Sequence, residues 1–136
     1  MSLTQIEQYK IESVIGKGGL GTVYLAQDLN LSRFVAIKVI YPQFTNQRPY
    51  HEHIMRQARA AARLTHPSIA TIFNFDHKDN QLYLIIEYIN GDSLASLLGK
   101  LRRKQQIMRL DEALLLTAQV ADALAYAHQQ GLLHTN

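Results

Sequence analysis

Four residues, Gly16, Gly18, Gly21 and Lys38, have the types and spacing that could do chemistry. The glycines form a Gly16-x-Gly18-x-x-Gly21 run that leads into Thr22 and Val23, and Lys38 closes the run Val35-Ala36-Ile37-Lys38. Glycine lets a backbone come close to a ligand and adopts positive φ cheaply. The N–H groups of such a turn can cover phosphate oxygens, and a nearby lysine adds a point charge. The pattern alone is a weak signal, so the residues after it decide its meaning. A dinucleotide fold places a helix after the glycines, whereas Thr22 to Asp28 alternates as a strand does. A Walker A loop ends in GK[ST], and Gly16 to Thr22 reads GxxxxGT. What remains is a strand-turn-strand flap over phosphates with Lys38 on the next strand. Its plain alternative is a hairpin turn and a lysine whose stem carries the ammonium to water.

The elements that must position these residues read from the sequence as follows. Tyr9 to Ile15 alternates Tyr, Ile, Ser, Ile against Lys, Glu, Val, a strand with one wet face. Thr22–Asp28 is a second strand, residues 28–32 carry turn chemistry, and the β-branched run Phe34–Ile40 is a third. Strands so close, with no helix between them, make an antiparallel meander. Pro42 to Pro49 reads as a loop. His51 to Leu64 has helical spacing through Ile54, Ala58 and Ala61, with Pro67 as its stop. Ile69–Phe75 and Gln81–Ile89 are two further strands around the polar turn 77–80. Ser93 can cap a short helix reaching about Lys100. Asp111 is the expected N-cap of a long helix ending at Gly131, a natural C′ residue. That helix is apolar around more than one stripe, which predicts burial on several sides.

Composition excludes several function classes. The chain has 136 residues, 47% of them hydrophobic and 18% charged, which suits a packed domain or a piece of one. Its net charge of +3 is too small to call for nucleic acid. The one dense basic cluster, Lys100, Arg102, Arg103 and Lys104, reads as a solvated helix face. With no cysteine there is no disulfide, thiolate metal site or cysteine nucleophile. No signal peptide and no bilayer-length apolar run is visible, so the expectation is a cytoplasmic chain with no membrane in this segment. His51-Glu52-His53 starts like HExxH, but Met55 stands at the second ligand position. Two histidines two apart on a helix point about 200° from each other. No metal site is expected, and His66 and His134 read as packing residues.

Taken together, the ordered motifs resemble a protein kinase domain of the bacterial Ser/Thr type. Gly16-x-Gly18-x-x-Gly21-x-Val23 and Val35-Ala36-Ile37-Lys38 look like its start. Residues 58–69 look like the end of the helix called αC and the segment after it. Leu82 to Tyr88 looks like the last strand of the smaller lobe and the hinge, with Ile86 as gatekeeper. Residues 111–131 look like the helix called αE. The resemblance implies an α+β fold: a five-stranded antiparallel sheet plus αC over residues 1–89, then hinge end, αD and αE over 90–136. It also implies an ATP site. Gly16, Gly18 and Gly21 would cover the phosphates, Lys38 would contact them, Val23 and Ala36 would sandwich the adenine, and Ile86, Glu87 and Ile89 would line its hinge edge.

Two departures from the family limit that implication. In an active kinase the lysine of the Val-Ala-Ile-Lys strand pairs with a glutamate on αC; that position here is Gln57, which cannot neutralise an ammonium. Glu52 is no substitute, lying about 140° around the helix axis. The family's His-Arg-Asp reads His134-Thr135-Asn136, so a carboxamide stands where the proton-accepting aspartate belongs. The Asp-Phe-Gly metal motif is not among these residues. The expectation is an ATP-binding piece of a kinase-like domain that does not transfer phosphate by itself. The alternatives are a pseudokinase-like module docking a protein partner through αC or αE, or a remnant of a truncated kinase gene.

Overall fold

The computed structural model describes residues 5–46, 48–78 and 81–134. In chain order these form β1 (Gln5–Ile6), β2 (Tyr9–Lys17), β3 (Gly21–Asp28), β4 (Arg33–Ile40), α1 (Pro42–Thr45), α2 (Arg48–Ala61), β5 (Ile72–Lys78), β6 (Gln81–Glu87), α3 (Leu94–Arg103) and α4 (Leu110–Gln129). The strands make one antiparallel sheet in the order β1-β2-β3-β4-β6-β5. The chain divides into two compact units. One holds the residues up to Thr65 together with Ala70–Tyr88; the other holds His66–Ile69 and the chain from Ile89 onward.

In the first unit, β4 is buried along most of its length, and Val35, Ile37 and Val39 alternate into a core with Ala26, Tyr83, Ile85, Ile6 and Tyr9. Full burial of one such side chain stabilises by about 1.5–3 kcal/mol, so this face anchors the sheet. The β3–β4 turn forms because Asp28, 2% exposed, accepts from the N–H groups of Asn30 (3.1 Å) and Leu31 (3.2 Å). A short polar side chain folding back on its own backbone is the turn chemistry its sequence carries. The Arg33 guanidinium lies over the Phe73 ring, 3.9 Å from its centroid, and ties the same corner to β5.

Several sequence expectations need correction here. Among the described residues the sheet has a sixth strand beside the expected five, because Gln5–Ile6 pairs with Tyr9 and Lys10 across a turn with Glu7 at φ 47°. Two residues are too few to show alternation. The alternation of β2 fails after Ile11, where register shifts leave Val14 and Ile15 both exposed. Pro42–Thr45 is a helical turn rather than loop, with proline at its first position where no N–H is needed. The helix α2 ends at Ala61, well before Pro67, because Leu64 turns back to burial through Arg63 N–H to Ala60 and Leu64 N–H to Ala61 bonds. The fifth strand starts at Ile72 rather than Ile69 and runs through Lys78, so His77 is in the strand and not in a turn; Asp79 and Asn80 lie outside the described residues.

In the second unit, Ser93 caps α3 as expected, its Oγ accepting from the Ser96 N–H at 3.1 Å. Arg109, not Asp111, occupies the N-cap of α4, and Asp111 sits in the first turn paired with Arg109. An acidic residue there suits the helix dipole without capping. Gly131 ends the helix at φ 78°, where Leu132 N–H reaches the Ala127 carbonyl at 2.9 Å. Burial of α4 on several sides is not found among the described residues: Ala123 and Ala127 are buried, while Leu114, Leu115 and Val120 are exposed. His134 is exposed too, contrary to a packing role. His66 does pack, its ring 5.2 Å from that of Tyr126. Among the described residues no helix is long and apolar enough to cross a membrane.

Candidate functional site

The glycine turn is the tip of the β2–β3 hairpin. Gly16 stands opposite Val23, Lys17 opposite Thr22, and the Gly18 N–H donates to the Gly21 carbonyl at 2.9 Å. The glycines divide by what the fold requires. At Gly21 a Cβ would lie 2.1 Å from the Val39 carbonyl oxygen, so packing against β4 excludes any side chain. At Gly16 it would meet only Val23 at 3.8 Å, at Gly18 only the Gly21 oxygen at 4.0 Å, and at Gly19 nothing within 4 Å. Among the glycines only Gly131 has positive φ, so the conformational freedom expected at the tip is not used there. Neither packing nor backbone angle explains glycine at 16, 18 and 19.

The ladder registers bring the remaining candidates of the first unit onto one face. Val23 is opposite Lys38, Leu25 opposite Ala36, Ala36 opposite Ile86 and Lys38 opposite Leu84. Because side chains alternate across a strand, these residues share the face opposite the core of Val35, Ile37 and Val39. Val23, Leu25, Lys38, Leu84 and Ile86 are half-buried, and Ala36 is 8% exposed. The result is an apolar floor with one ammonium in it, the composition of a small-molecule site. Sequence reasoning passed over Leu25 and Leu84, although extending the period of two from Val23 and Ile86 reaches both. It also passed over Ile15, 45% exposed beside Gly16.

Among the described residues no carboxylate is ion-paired to Lys38. Gln57 is exposed on α2, and Glu52 is engaged along its own helix with Arg48 at 3.0 Å. Glu87 is held by Thr71 in both directions: its N–H donates to the Thr71 carbonyl at 2.8 Å, and its Oε2 accepts from the Thr71 N–H at 3.0 Å. Ile89 is exposed and falls in the second unit, so the sheet does not gather it with the others. Thr135 and Asn136 lie outside the described residues. No group of three or more metal-ligating side chains occurs among the described residues.

Comparison with known proteins gives one consistent match. The family model described as "Protein kinase domain" matches residues 9–136. The serine/threonine-protein kinase PksC of Streptomyces coelicolor is 36% identical over 131 residues, covering 93% of this chain and 24% of that protein. PrkC of Bacillus subtilis is 35% identical over 130 residues, covering 93% of this chain and 19% of its own length. A crystal structure of the Mycobacterium tuberculosis PknI kinase domain superposes with a TM-score of 0.83 at 30% identity, covering 97% of this chain and 52% of that one. The chain therefore spans about a fifth to a quarter of these curated relatives and about half of the solved domain.

Proposed function

The chain belongs to the protein kinase domain family, and from that premise we propose that it binds ATP on the β3–β4–β6 face and, by itself, does not transfer the phosphate. The observation that supports this reading most is the direct register of Val23 with Lys38 and of Ala36 with Ile86. On this reading the apolar surface takes the purine and the neighbouring ammonium takes the phosphate. Gly16, Gly18 and Gly19 leave the flap backbone free to be approached, while Gly21 fixes the flap to β4. Glu87 lines the purine edge in this reading. ATP is plentiful in the cytoplasm, which is the location that goes with this function.

The reading withholds phosphate transfer on chemical grounds. Bound ATP supplies a transferable phosphoryl group; using it requires a proton acceptor and a way to stabilise the charge that develops. Asn136 has no basic lone pair at neutral pH, and the position where the family carries a glutamate for this lysine holds Gln57, a neutral amide. Charge-assisted hydrogen bonds are about twice as strong as neutral ones, so Lys38 is held less firmly.

Thermal unfolding with increasing ATP tests the binding half. Free ATP at a hundred times its Kd should stabilise by about 2.7 kcal/mol, and Lys38→Met should remove most of this. Absence of any ATP-dependent shift, or a shift indifferent to Lys38→Met, would refute it. Metal-dependent turnover by this chain that disappears in Lys38→Met would refute the second half.

One observation favours a second reading, a module that docks a protein partner. Leu114, Leu115 and Val120 stand exposed on α4, and large apolar side chains left in water would gain from burial against a partner. No ATP response, together with a defined hetero-oligomer lost on Leu115→Lys, would favour it.

A further inference from the structure

We propose that Tyr41, the residue after β4, is a positioning residue for the phosphate end of the nucleotide and acts through the glycine flap; this rests on the ATP reading and adds what holds the flap. The backbone groups of the flap tip divide by polarity. Two carbonyls there are taken: that of Gly21 accepts the Gly18 N–H and that of Leu20 accepts the Tyr41 N–H, both at 2.9 Å. The N–H groups of Gly19 and Leu20 have no acceptor among the described residues. A carbonyl oxygen aimed at a phosphate repels it, whereas successive backbone N–H groups are what anion-binding concavities are made of. The bond from Tyr41 thus withdraws the Leu20 carbonyl and leaves the tip with donors to offer.

Tyr41 holds the flap a second time through its side chain. Its hydroxyl accepts from the Thr22 Oγ1 at 3.3 Å, and Thr22 is buried at the root of the flap. Thr22 stands opposite Val39, which points into the core, so it lies on the face away from Val23 and Lys38. The phenol therefore meets the flap from behind, out of reach of the nucleotide. Tyr41 is itself a fixed post. Its backbone is extended at φ −64° and ψ 141°, as a residue before proline must be, and its carbonyl accepts the Phe44 N–H at 3.0 Å where α1 begins. Together with the close contact of Gly21 on Val39, these bonds fasten the flap to the end of β4, one strand turn beyond Lys38. The lysine and the flap donors are thereby set from the same short segment.

Calorimetric titration of the whole chain with ATP and, separately, with adenosine tests this, because adenosine has the purine and no phosphate. Tyr41→Phe and Thr22→Val each delete the hydroxyl tie and should weaken ATP about threefold, the scale of one modest hydrogen bond. Thr22→Ser keeps a hydroxyl and should recover most of that loss. The two deletions combined should weaken ATP no more than either alone, since they break one bond. Tyr41→Pro also removes the main-chain donor, at a φ that proline adopts, and should weaken ATP tenfold or more, roughly two bonds' worth. Adenosine affinity should move less than about twofold in every variant. Loss of ATP and adenosine in equal measure would make Tyr41 a merely structural residue and overturn the proposal. So would ATP affinity unchanged in both Tyr41→Phe and Thr22→Val, which decide the matter if Tyr41→Pro does not give the parent's circular dichroism. A parent chain that binds no ATP would refute the ATP reading and this inference with it, and that outcome is read before any substitution is made.

Discussion

The backbone at Gly21 passes so close to Val39 that a Cβ there would lie 2.1 Å from the Val39 carbonyl oxygen. Both residues belong to adjacent strands of the ladder, where Gly21 pairs with Ile40, so neither can move without parting the sheet. Gly21→Ala should therefore lower stability by about 1–3 kcal/mol, the usual cost of overpacking. Gly18→Ala and Gly19→Ala have space for the methyl group and should stay within about 0.5 kcal/mol of the parent. Their effect, on the ATP reading, falls on the nucleotide titration. Urea unfolding of the three variants beside ATP titrations separates a fold glycine from ligand glycines. Equal stability loss at all three positions would show that the tip is structural throughout.

His66 is the second point where two measurements part. Its Nδ1 accepts from the Ser68 N–H at 3.1 Å, so in this geometry Nε2 carries the proton and donates to Asp122 Oδ2 at 3.0 Å. The side chain is 11% exposed, whereas that of Asp122 is 76% exposed. His66→Ala gives up two hydrogen bonds and the packing on Tyr126, and should cost about 1–3 kcal/mol. Asp122→Ala should cost less than about 1 kcal/mol, since solvent screens that end. A double-mutant cycle by urea unfolding should assign most of the His66 effect to Ser68 and Tyr126. A coupling to Asp122 equal to the whole His66 effect would contradict this.

What the sequence made legible follows from how local each cause is. The β3–β4 turn is encoded in Asp28 itself, the α3 start in Ser93 and the α4 end in Gly131, and all three occur as read. The glycine-and-lysine pattern was readable because glycine spacing and a lysine within a β-branched run are both short-range signals. Features set by distant atoms were not. Nothing near Gly21 in sequence says that Val39 will exclude a side chain there. The early end of α2 is decided by the burial of Leu64 and not by Pro67. The exposure of Leu115 on α4 depends on what packs against the helix, which no periodicity states.

Asp92 supplies a test in acid. The Lys100 ammonium, by hydrogen bond and then by charge, holds its carboxyl below the ordinary carboxylate value. A group depressed in the folded chain contributes stability above its unfolded pKa and loses it as pH falls through the folded one. The Asp92–Lys100 link should thus persist through neutral pH and come apart only below the usual aspartate range. Carboxyl chemical shifts followed by NMR should show Asp92 titrating low in the parent and at the ordinary value in Lys100→Met. Because the pair is at the surface, added salt should narrow the difference. An Asp92 titration unmoved by Lys100→Met would rule out the ammonium as the cause of the depression.

Tyr9 supplies the opposite test in alkali. Burial raises its phenol pKa first, and the Asp28 carboxylate opposite it in the ladder raises it further, against a smaller lowering by Arg33. A phenol whose folded pKa lies above the unfolded value contributes stability that is complete below the unfolded pKa. That contribution is lost as pH rises through the folded one. The parent chain should therefore weaken above about pH 10, where an unfolded tyrosine ionises freely. Tyr9→Phe cannot ionise, so its stability relative to the parent should rise across that range. The other tyrosines are common to both chains, so their contribution cancels in the difference. Urea midpoints of parent and variant, at neutral pH and again near about pH 10.5, measure it. A gap between the two midpoints that stays constant with pH would mean that Tyr9 meets solvent as freely in the folded chain as in the unfolded one.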